Sequence, residues 1–131
     1  MTAIGSDPFT AASLVEPSVR RLGERTCIIN LGTEIRHIAL PGIDEAVRTL
    51  LVDGCQDIVF DLSNLRRYES FALVRLAREW ERLAATGCTV HVAAREPRVV
   101  ADLERLVDTT GWELHRSATQ ALRSLLSAPV E

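Results

Sequence analysis

Short apolar runs alternate with amphipathic segments through most of the chain, and this alternation restricts the fold more than any other feature. Ile58, Val59 and Phe60, with Leu62 after them, form a run typical of a strand that is covered on both faces of its sheet. Further on, apolar side chains recur at steps of three and four, which predicts an amphipathic helix; they are Leu73, Leu76, Ala77, Trp80, Leu83 and Ala84. Strands that alternate with helices indicate a mainly parallel sheet with right-handed crossovers. We therefore predict an α/β fold.

The segment before this central strand predicts a hairpin and a helix. Residues 19–22 and 26–31 are predicted to be two extended segments around Gly23, whose missing side chain gives the backbone the freedom that a tight turn requires. This first pair of strands should be antiparallel. Pro41 suits the first turn of a helix, and Gly54 suits its end.

The segment after the central helix predicts two more strands and two more helices. Residues 89–94 form the first of these strands, and the helix that follows should begin at Pro97 and end at Gly111. Residues 112–115 predict a last strand, and Ser117 with Gln120 forms a capping box ahead of a final helix. The chain should thus have about five strands and about four helices.

Length and charge limit the kinds of protein that this chain can be. Its 131 residues, 47% of them hydrophobic, are enough for one domain, which we predict over residues 14–128 behind a loose tail over residues 1–13. The net charge is -3 and the basic residues form no stripe, so we expect no nucleic-acid partner. No apolar stretch reaches the roughly 18 residues of a membrane span, and Met1 to Leu14 lacks the pattern of a leader. We therefore expect a cytoplasmic protein without membrane insertion.

The cysteines indicate a reducing compartment. Cys27, Cys55 and Cys88 lie far apart and form no CxxC pair, so a zinc site or a disulfide framework has little support. Cys55 and Cys88 each precede a predicted strand, and if those strands are parallel neighbours the two sulfurs could approach as a redox pair. Two thiols without a redox role are the interpretation we favour.

Nothing in the sequence indicates an enzyme. His37, His91 and His115 lie on separate elements, without a metal-ligand spacing or an adjacent nucleophile. No glycine-rich phosphate-binding loop is present either. We therefore expect no catalysis, no metal and no cofactor, and a small-ligand sensor is a minor alternative.

Three strings of residues resemble those of the STAS domain family, in particular the bacterial anti-sigma factor antagonists. The most specific is residues 61–73, where Asp-Leu-Ser and Glu-Ser-Phe-Ala-Leu stand in place of the family's Asp-Leu-Ser and Asp-Ser-Ser-Gly-Leu. Residues 33–36 stand where the family has Gly-Glu-Leu-Asp; they keep Glu34 but have Arg36 in place of the aspartate. Residues 108–112 are similar to the family's Asp-x-Ser-Gly-Leu loop. The resemblance covers most of residues 19–126 and implies the STAS fold.

The departure at Phe71 has the largest consequence for function. In the family the second serine of the pair is the one that is phosphorylated, and Phe71 stands at its position, so the usual switch is lost. A phosphate at a helix start is tolerated locally, but its charge of about -2 would expel a bound partner. Ala72 replaces the glycine and reduces the backbone freedom of the turn. Ser70 remains a weaker candidate phosphoacceptor, although we expect it only to cap the helix, and the Glu69 carboxylate is a second candidate cap.

The resemblance implies a non-catalytic module that binds an anti-sigma factor, a serine-kinase-like protein, and so frees a sigma factor. The implied partner-binding residues are Glu34, Arg36, His37, Glu69, Ser70, Phe71, Ala72, Thr109 and Thr110. A homodimer is compatible with this role. The main alternative is an STAS subunit that contacts the ATPase of an ABC-type transporter, and a ligand-sensing or redox-sensing STAS module is another. Two roles are equally open for the Phe71 side chain: it anchors an interface, or it belongs to the core.

Overall fold

The computed structural model describes residues 17–107 and 111–126, and within them the predicted order of elements is confirmed. The strands are β1 (Ser18–Arg21), β2 (Thr26–Asn30), β3 (Glu34–Ile35), β4 (Asp57–Leu62), β5 (Arg67–Tyr68), β6 (Thr89–Ala94) and β7 (Glu113–His115). The α-helices are α1 (Leu40–Val52), α2 (Ser70–Ala85), α3 (Pro97–Leu106) and α4 (Ala118–Leu126), and a 3₁₀ turn covers His37–Ala39. The predicted tail over residues 1–13 and both predicted domain ends lie outside the described residues.

Five of the strands form one sheet in the order β1-β2-β4-β6-β7. β1 pairs with β2 in antiparallel fashion, and all other neighbours are parallel, as the alternation of strands and helices predicts. Gly23 makes the hairpin turn with a φ of 113°, a backbone conformation that residues with a side chain rarely adopt. The apolar run Ile58, Val59, Phe60 and Leu62 lies in the middle strand β4 and is fully buried.

The two faces of the sheet are covered unequally. On one face, Phe60 and the fully buried Trp80 belong to the main core, to which α1, α2 and α3 contribute their apolar faces. The Trp80 ring stands edge-on to that of Trp112, with 4.9 Å between the ring centroids. On the other face, Val59 packs against Ala121 of α4 in a much smaller cluster. The larger core therefore fixes the positions of α1 to α3, and α4 covers the opposite face.

A second, two-stranded sheet was not predicted. β3 pairs with β5 in parallel fashion, so that Glu34 lies opposite Arg67 and Ile35 lies opposite Tyr68. Two residues per strand are too few to leave an alternating pattern in the sequence. This small sheet matters for function because it places the segment after β2 beside the segment that leads into α2.

The starts of α3 and α4 follow the sequence signals for helix capping. The Glu96 carboxylate accepts hydrogen bonds from the backbone N–H groups of Arg98 and Val99 at the start of α3. At α4, the Ser117 hydroxyl accepts from the Gln120 N–H at 3.0 Å, while the Gln120 side chain accepts from the Arg116 N–H at 2.7 Å. The predicted capping box is confirmed, with its return bond one residue earlier than usual.

Of the helices in the described ranges, none is long and apolar enough to cross a membrane.

Candidate functional site

Seven of the nine predicted partner-binding residues fall into two segments that the small sheet brings together. His37 begins the 3₁₀ turn directly after β3, and Glu69 lies between β5 and α2. The Glu69 Oε1 accepts a hydrogen bond from the backbone N–H of His37 at 2.8 Å and lies 3.0 Å from the ring Nδ1 of the same residue. The structure therefore unites Glu34 to His37 with Glu69 to Phe71 in one surface at the start of α2. Ala72, also predicted to bind the partner, is fully buried in the core and is not part of this surface.

The contacts of Glu69 overturn two predictions about how α2 is capped. Glu69 occupies the N-cap position, but its side chain makes no bond to the helix and turns to His37 instead. Ser70 is the first residue within the helix, so its hydroxyl is not at the capping position and the predicted serine cap is wrong. Hydrogen bonds from His37, that of the backbone N–H first, hold the pKa of Glu69 below its ordinary value.

Phe71 is on the surface, which decides between the two alternatives left open for its side chain. It is 60% exposed, and the Arg75 guanidinium lies 5.8 Å from the centre of its ring, within the range of a cation–π contact. The next residue, Ala72, is fully buried against the core. The start of α2 therefore presents an uncharged aromatic ring on a helix whose next two residues, Ala72 and Leu73, are buried in the core.

Ile38 belongs to the same surface and was missed by the sequence analysis. Its side chain is 65% exposed, and it follows His37, the residue bound by Glu69. An isoleucine beside a helix start ordinarily indicates a core position, so its identity alone gave no signal. Ile38 follows His37, and Phe71 comes two residues after Glu69, so the Glu69–His37 contact joins the two segments that carry these exposed apolar side chains.

The charges at the edge of this surface neutralise each other. The Arg36 Nε donates a hydrogen bond to the Glu34 Oε2 at 2.8 Å, and the arginine side chain is exposed. An exposed pair of this kind adds little to stability. The positive charge that Arg36 brings in place of the family's aspartate is therefore paired with Glu34.

A shallow apolar groove runs beside the same helix start. It has a volume of about 150 Å³ and is lined by Ser70, Leu73, Val74, Asp102, Arg105 and Leu106. Ser70 is exposed, which is compatible with its role as candidate phosphoacceptor but does not test it.

Thr109 and Thr110 lie outside the described residues. Gly111, the next residue, lies against Ala84 at the far end of α2, since a Cβ added to this glycine would be 3.4 Å from the Ala84 Cβ. Phe71 lies at the beginning of the same helix, which has 16 residues and is therefore about 24 Å long. The assignment of the two threonines to the partner surface stays a prediction.

The cysteines are free thiols, and the structure changes the expected neighbour of Cys55. Cys55 and Cys88 do precede the parallel neighbours β4 and β6. The thiol that interacts with Cys55, however, is that of Cys27; burial and this thiol raise the pKa of Cys55 to about 12. A redox pair between Cys55 and Cys88 stays a prediction.

The three histidines do not stay apart as the sequence suggested. His37 binds Glu69, but His91 and His115 lie on the neighbouring strands β6 and β7, with 2.9 Å between the Nδ1 of the first and the Nε2 of the second. Glu113 completes this group. Sequence spacing did not reveal it because residues 91 and 113 are brought opposite each other only by strand register.

Comparison with known proteins agrees with this architecture. The solved structures that match include SpoIIAA, an anti-sigma factor antagonist, in its unphosphorylated form; an anti-sigma factor antagonist from Mycobacterium paratuberculosis; and the Bacillus cell fate determinant SpoIIAA in its phosphorylated form. The first is 15% identical with a TM-score of 0.66 and matches over 86% of this chain and 99% of its own. The second is 24% identical with a TM-score of 0.68 over 84% and 92%, and the third is 16% identical with a TM-score of 0.62 over 83% and 98%. At these identities the likeness shows the fold.

The sequence itself gives the family. No curated protein matches it significantly. The sequence profile of the STAS domain matches residues 17–111, from β1 through the end of α3 to Gly111. With the five-stranded sheet and four helices described above, this match shows that the chain belongs to the STAS domain family.

Proposed function

We propose that the protein is a non-catalytic cytoplasmic binding module that docks on an anti-sigma factor through the start of α2 and so frees a sigma factor. The observation that carries this proposal is Phe71, a large aromatic side chain that is 60% exposed at the position of the family's switch serine. The structural likeness to anti-sigma factor antagonists supports the choice of partner.

An exposed aromatic ring at this place has a physical use in binding. Aromatic side chains bury about 150–250 Å² each when they are covered, and they supply much of the energy of protein interfaces. Ile38 offers a second apolar contact, since its side chain is 65% exposed. We name the surface formed by Glu34, Arg36, His37, Ile38, Glu69, Ser70 and Phe71 the α2-start surface.

The α2-start surface is also well fixed before any partner arrives. The Glu69 carboxylate ties the 3₁₀ turn to the start of α2, and Ala72 and Leu73 anchor the helix start in the core. A surface that is already in place loses less entropy on binding than a mobile one. The site therefore suits a partner that docks on a rigid helix end.

The lack of a phosphoacceptor at position 71 changes how such a module would be controlled. A phenylalanine ring cannot carry a phosphate, so no charge can be added at this point to repel the partner. Binding would be constitutive as far as this position is concerned. Control would come from the amount of protein, from another partner, or from Ser70.

The test is binding of the purified chain to each anti-sigma factor kinase of its source organism, measured by calorimetry. Phe71→Asp places a charge at the centre of the α2-start surface and should weaken binding at least tenfold, a loss of about 1.4 kcal/mol. Val52→Asp is the matched control because Val52 is 82% exposed at the end of α1, away from this surface. The control should bind like the original chain.

Two outcomes would contradict the proposal. Equal weakening by Phe71→Asp and Val52→Asp would mean that the α2-start surface is not the contact. Binding to a transporter ATPase of the same organism, with none to any anti-sigma factor, would favour the alternative role in transport.

Incubation of the original chain and Ser70→Ala with the kinase and ATP would show whether Ser70 accepts phosphate.

A further inference from the structure

The face of the sheet that α4 covers carries polar side chains close to its outer strand. His91 of β6 lies opposite Glu113 of β7, and His115 lies two residues further along β7, opposite Ala93. Side chains two residues apart on a strand point to the same face, so Glu113 and His115 share the face of His91. Strand register thus collects two imidazoles and a carboxylate at one place.

The three side chains meet with the separations of metal ligands. The His91 Nδ1 lies 2.9 Å from the His115 Nε2, and the Glu113 Oε1 lies 3.6 Å from the former and 3.3 Å from the latter. Bonds of about 2.0–2.1 Å to a tetrahedral zinc ion require neighbouring ligand atoms to be about 3.4 Å apart. The observed triangle brackets that spacing, so an ion could be bound with shifts of a few tenths of an ångström.

The surroundings supply a built site with one open direction. His91 is 3% exposed, and the side chain of His115 is 11% exposed, so strand packing fixes both imidazoles. His91 and Glu113 also line a cavity of about 690 Å³ beside α4, with Thr26, Asp57 and Thr89 on its wall. Two of the three side chains thus border the cavity, which leaves one side of the group open.

We propose that His91, Glu113 and His115 form a three-ligand site for a divalent zinc ion, with the fourth position open to water from the cavity. Two imidazoles and one carboxylate are a donor set that suits zinc. The ion would link β6 to β7 directly ahead of α4.

The structure also limits how tightly the site would bind. The Nε2 of His91 is buried and finds no hydrogen-bond partner within residues 17–107 and 111–126. Zinc-binding histidines usually donate their second ring N–H to a carboxylate or carbonyl, and losing that partner costs roughly 10–100-fold in affinity. We therefore expect this site to bind Zn²⁺ about 10–100-fold more weakly than a site in which each histidine donates its second N–H to a partner.

The test uses the full chain without a histidine tag, loaded with Co²⁺ or Zn²⁺ after treatment with EDTA. One equivalent of Co²⁺ should give the visible absorption of a four-coordinate ion, and Zn²⁺ should displace it. Zinc should raise the melting temperature by several degrees, because an ion that binds only the folded state stabilises it.

Glu113→Gln is the informative variant because Glu113 is exposed and its loss leaves the core intact. It should lower the affinity for Zn²⁺ more than about 10-fold, the least that the loss of an outer partner costs. His115→Asn should lower the affinity for Zn²⁺ in the same way. His37→Ala changes the histidine outside the group and should bind Zn²⁺ with the affinity of the original chain.

Three results would overturn the site. The first is a chain that binds neither Co²⁺ nor Zn²⁺. The second is a loss of Zn²⁺ affinity in His37→Ala as large as that in Glu113→Gln. The third is the strong near-ultraviolet absorption of thiolate ligands from the bound Co²⁺. The last result would assign the metal to the cysteines. Retention of binding in Cys88→Ser, the variant of the half-buried cysteine, would support the histidine site.

Discussion

Glu69 holds His37 across 32 residues of sequence: one carboxylate oxygen accepts the backbone N–H of His37 at 2.8 Å and lies 3.0 Å from its ring. Glu69 directly precedes α2, and His37 begins the 3₁₀ turn that contains Ile38. This contact therefore fixes the position of Ile38 relative to Phe71. The geometry of the α2-start surface depends on it.

Removing this carboxylate should loosen the surface more than the fold. In Glu69→Ala the amide proton of His37 should exchange faster with solvent, and affinity for the partner should fall, while the melting temperature changes little because both side chains are exposed. Amide exchange measured by NMR reports the first effect. Glu69→Gln keeps an oxygen that can accept the His37 N–H, so its exchange rate should lie between those of the original chain and Glu69→Ala. Unchanged amide exchange in Glu69→Ala would refute the role given to this contact.

The same contact predicts a pH dependence. The hydrogen bonds from His37 lower the pKa of Glu69, so the folded state favours its ionised form. The contribution to stability is present above the ordinary glutamate pKa of about 4.3 and is lost as the pH falls through the lowered value. Protection of the His37 amide should therefore persist while the pH falls through the ordinary glutamate value and disappear only in stronger acid. Loss of this protection already above the ordinary glutamate pKa would contradict the direction of the pKa shift.

Trp80 should carry the largest single share of stability among the aromatic residues. Its ring is fully buried between Phe60, at 5.4 Å between centroids, and Trp112. Trp80→Ala should lower the free energy of unfolding by about 3–5 kcal/mol, measured in urea. Trp80→Phe keeps most ring contacts and removes an indole N–H that has no partner in the described part of the chain, so it should cost less.

Phe71 provides the contrast to Trp80. Phe71→Ala should change the free energy of unfolding by no more than about 0.5 kcal/mol, because its ring is 60% exposed. A loss as large as that of Trp80→Ala would mean that Phe71 serves the core and not an interface.

The larger elements could be predicted from the sequence because each carries its own periodicity. The apolar run at Ile58 predicts a buried middle strand, and the steps of three and four from Leu73 to Ala84 predict α2; both are confirmed. Two-residue strands such as β3 carry no such signal, and their pairing depends on two loops that meet only in the folded chain. The contact between Glu69 and His37 could not be predicted for the same reason.

The position of a side chain relative to solvent was harder to predict than its secondary structure. The sequence left core and surface equally open for Phe71, and the residue type of Ile38 favoured the core. In the structure both side chains are exposed, while Ala72 and Leu73, the residues that follow Phe71, are buried in the core. His91 and His115 show the reverse: polar residues that register and burial bring together. Such pairs depend on how distant strands align, which local patterns do not encode.

The Cys55 thiol should be almost unreactive in the folded protein. Burial first, and then the Cys27 thiol, raise its pKa to about 12, and the thiolate is the form that reacts. Treatment with iodoacetamide at pH 8, followed by mass spectrometry, should therefore modify the half-buried Cys88 well before Cys55. Cys88→Ser should leave the folded chain almost unmodified, and rapid modification of Cys55 in that variant would contradict the prediction.

Tyr68 links β5 to α3, and this link should make stability fall at high pH. Its hydroxyl donates a hydrogen bond to the Asp102 carboxylate, and the Arg98 guanidinium lies 5.0 Å from the centre of its ring. Burial, and then the Asp102 carboxylate, raise the pKa of Tyr68, so the folded state favours the neutral phenol. A raised pKa means that this contribution to stability is complete below the ordinary tyrosine value of about 10 and is lost as the pH rises through the folded value.

This dependence can be followed at one residue because Tyr68 is the only tyrosine of the chain. The absorbance of tyrosinate should appear at higher pH in the folded protein than in urea. Tyr68→Phe removes the hydrogen bond and should cost about 0.5–1.5 kcal/mol at neutral pH, with a smaller loss of stability between pH 9 and pH 11 than in the original chain. Equal loss in both would assign the alkaline effect to the cysteines, because the remaining basic side chains are arginines and histidines, which do not titrate in that range.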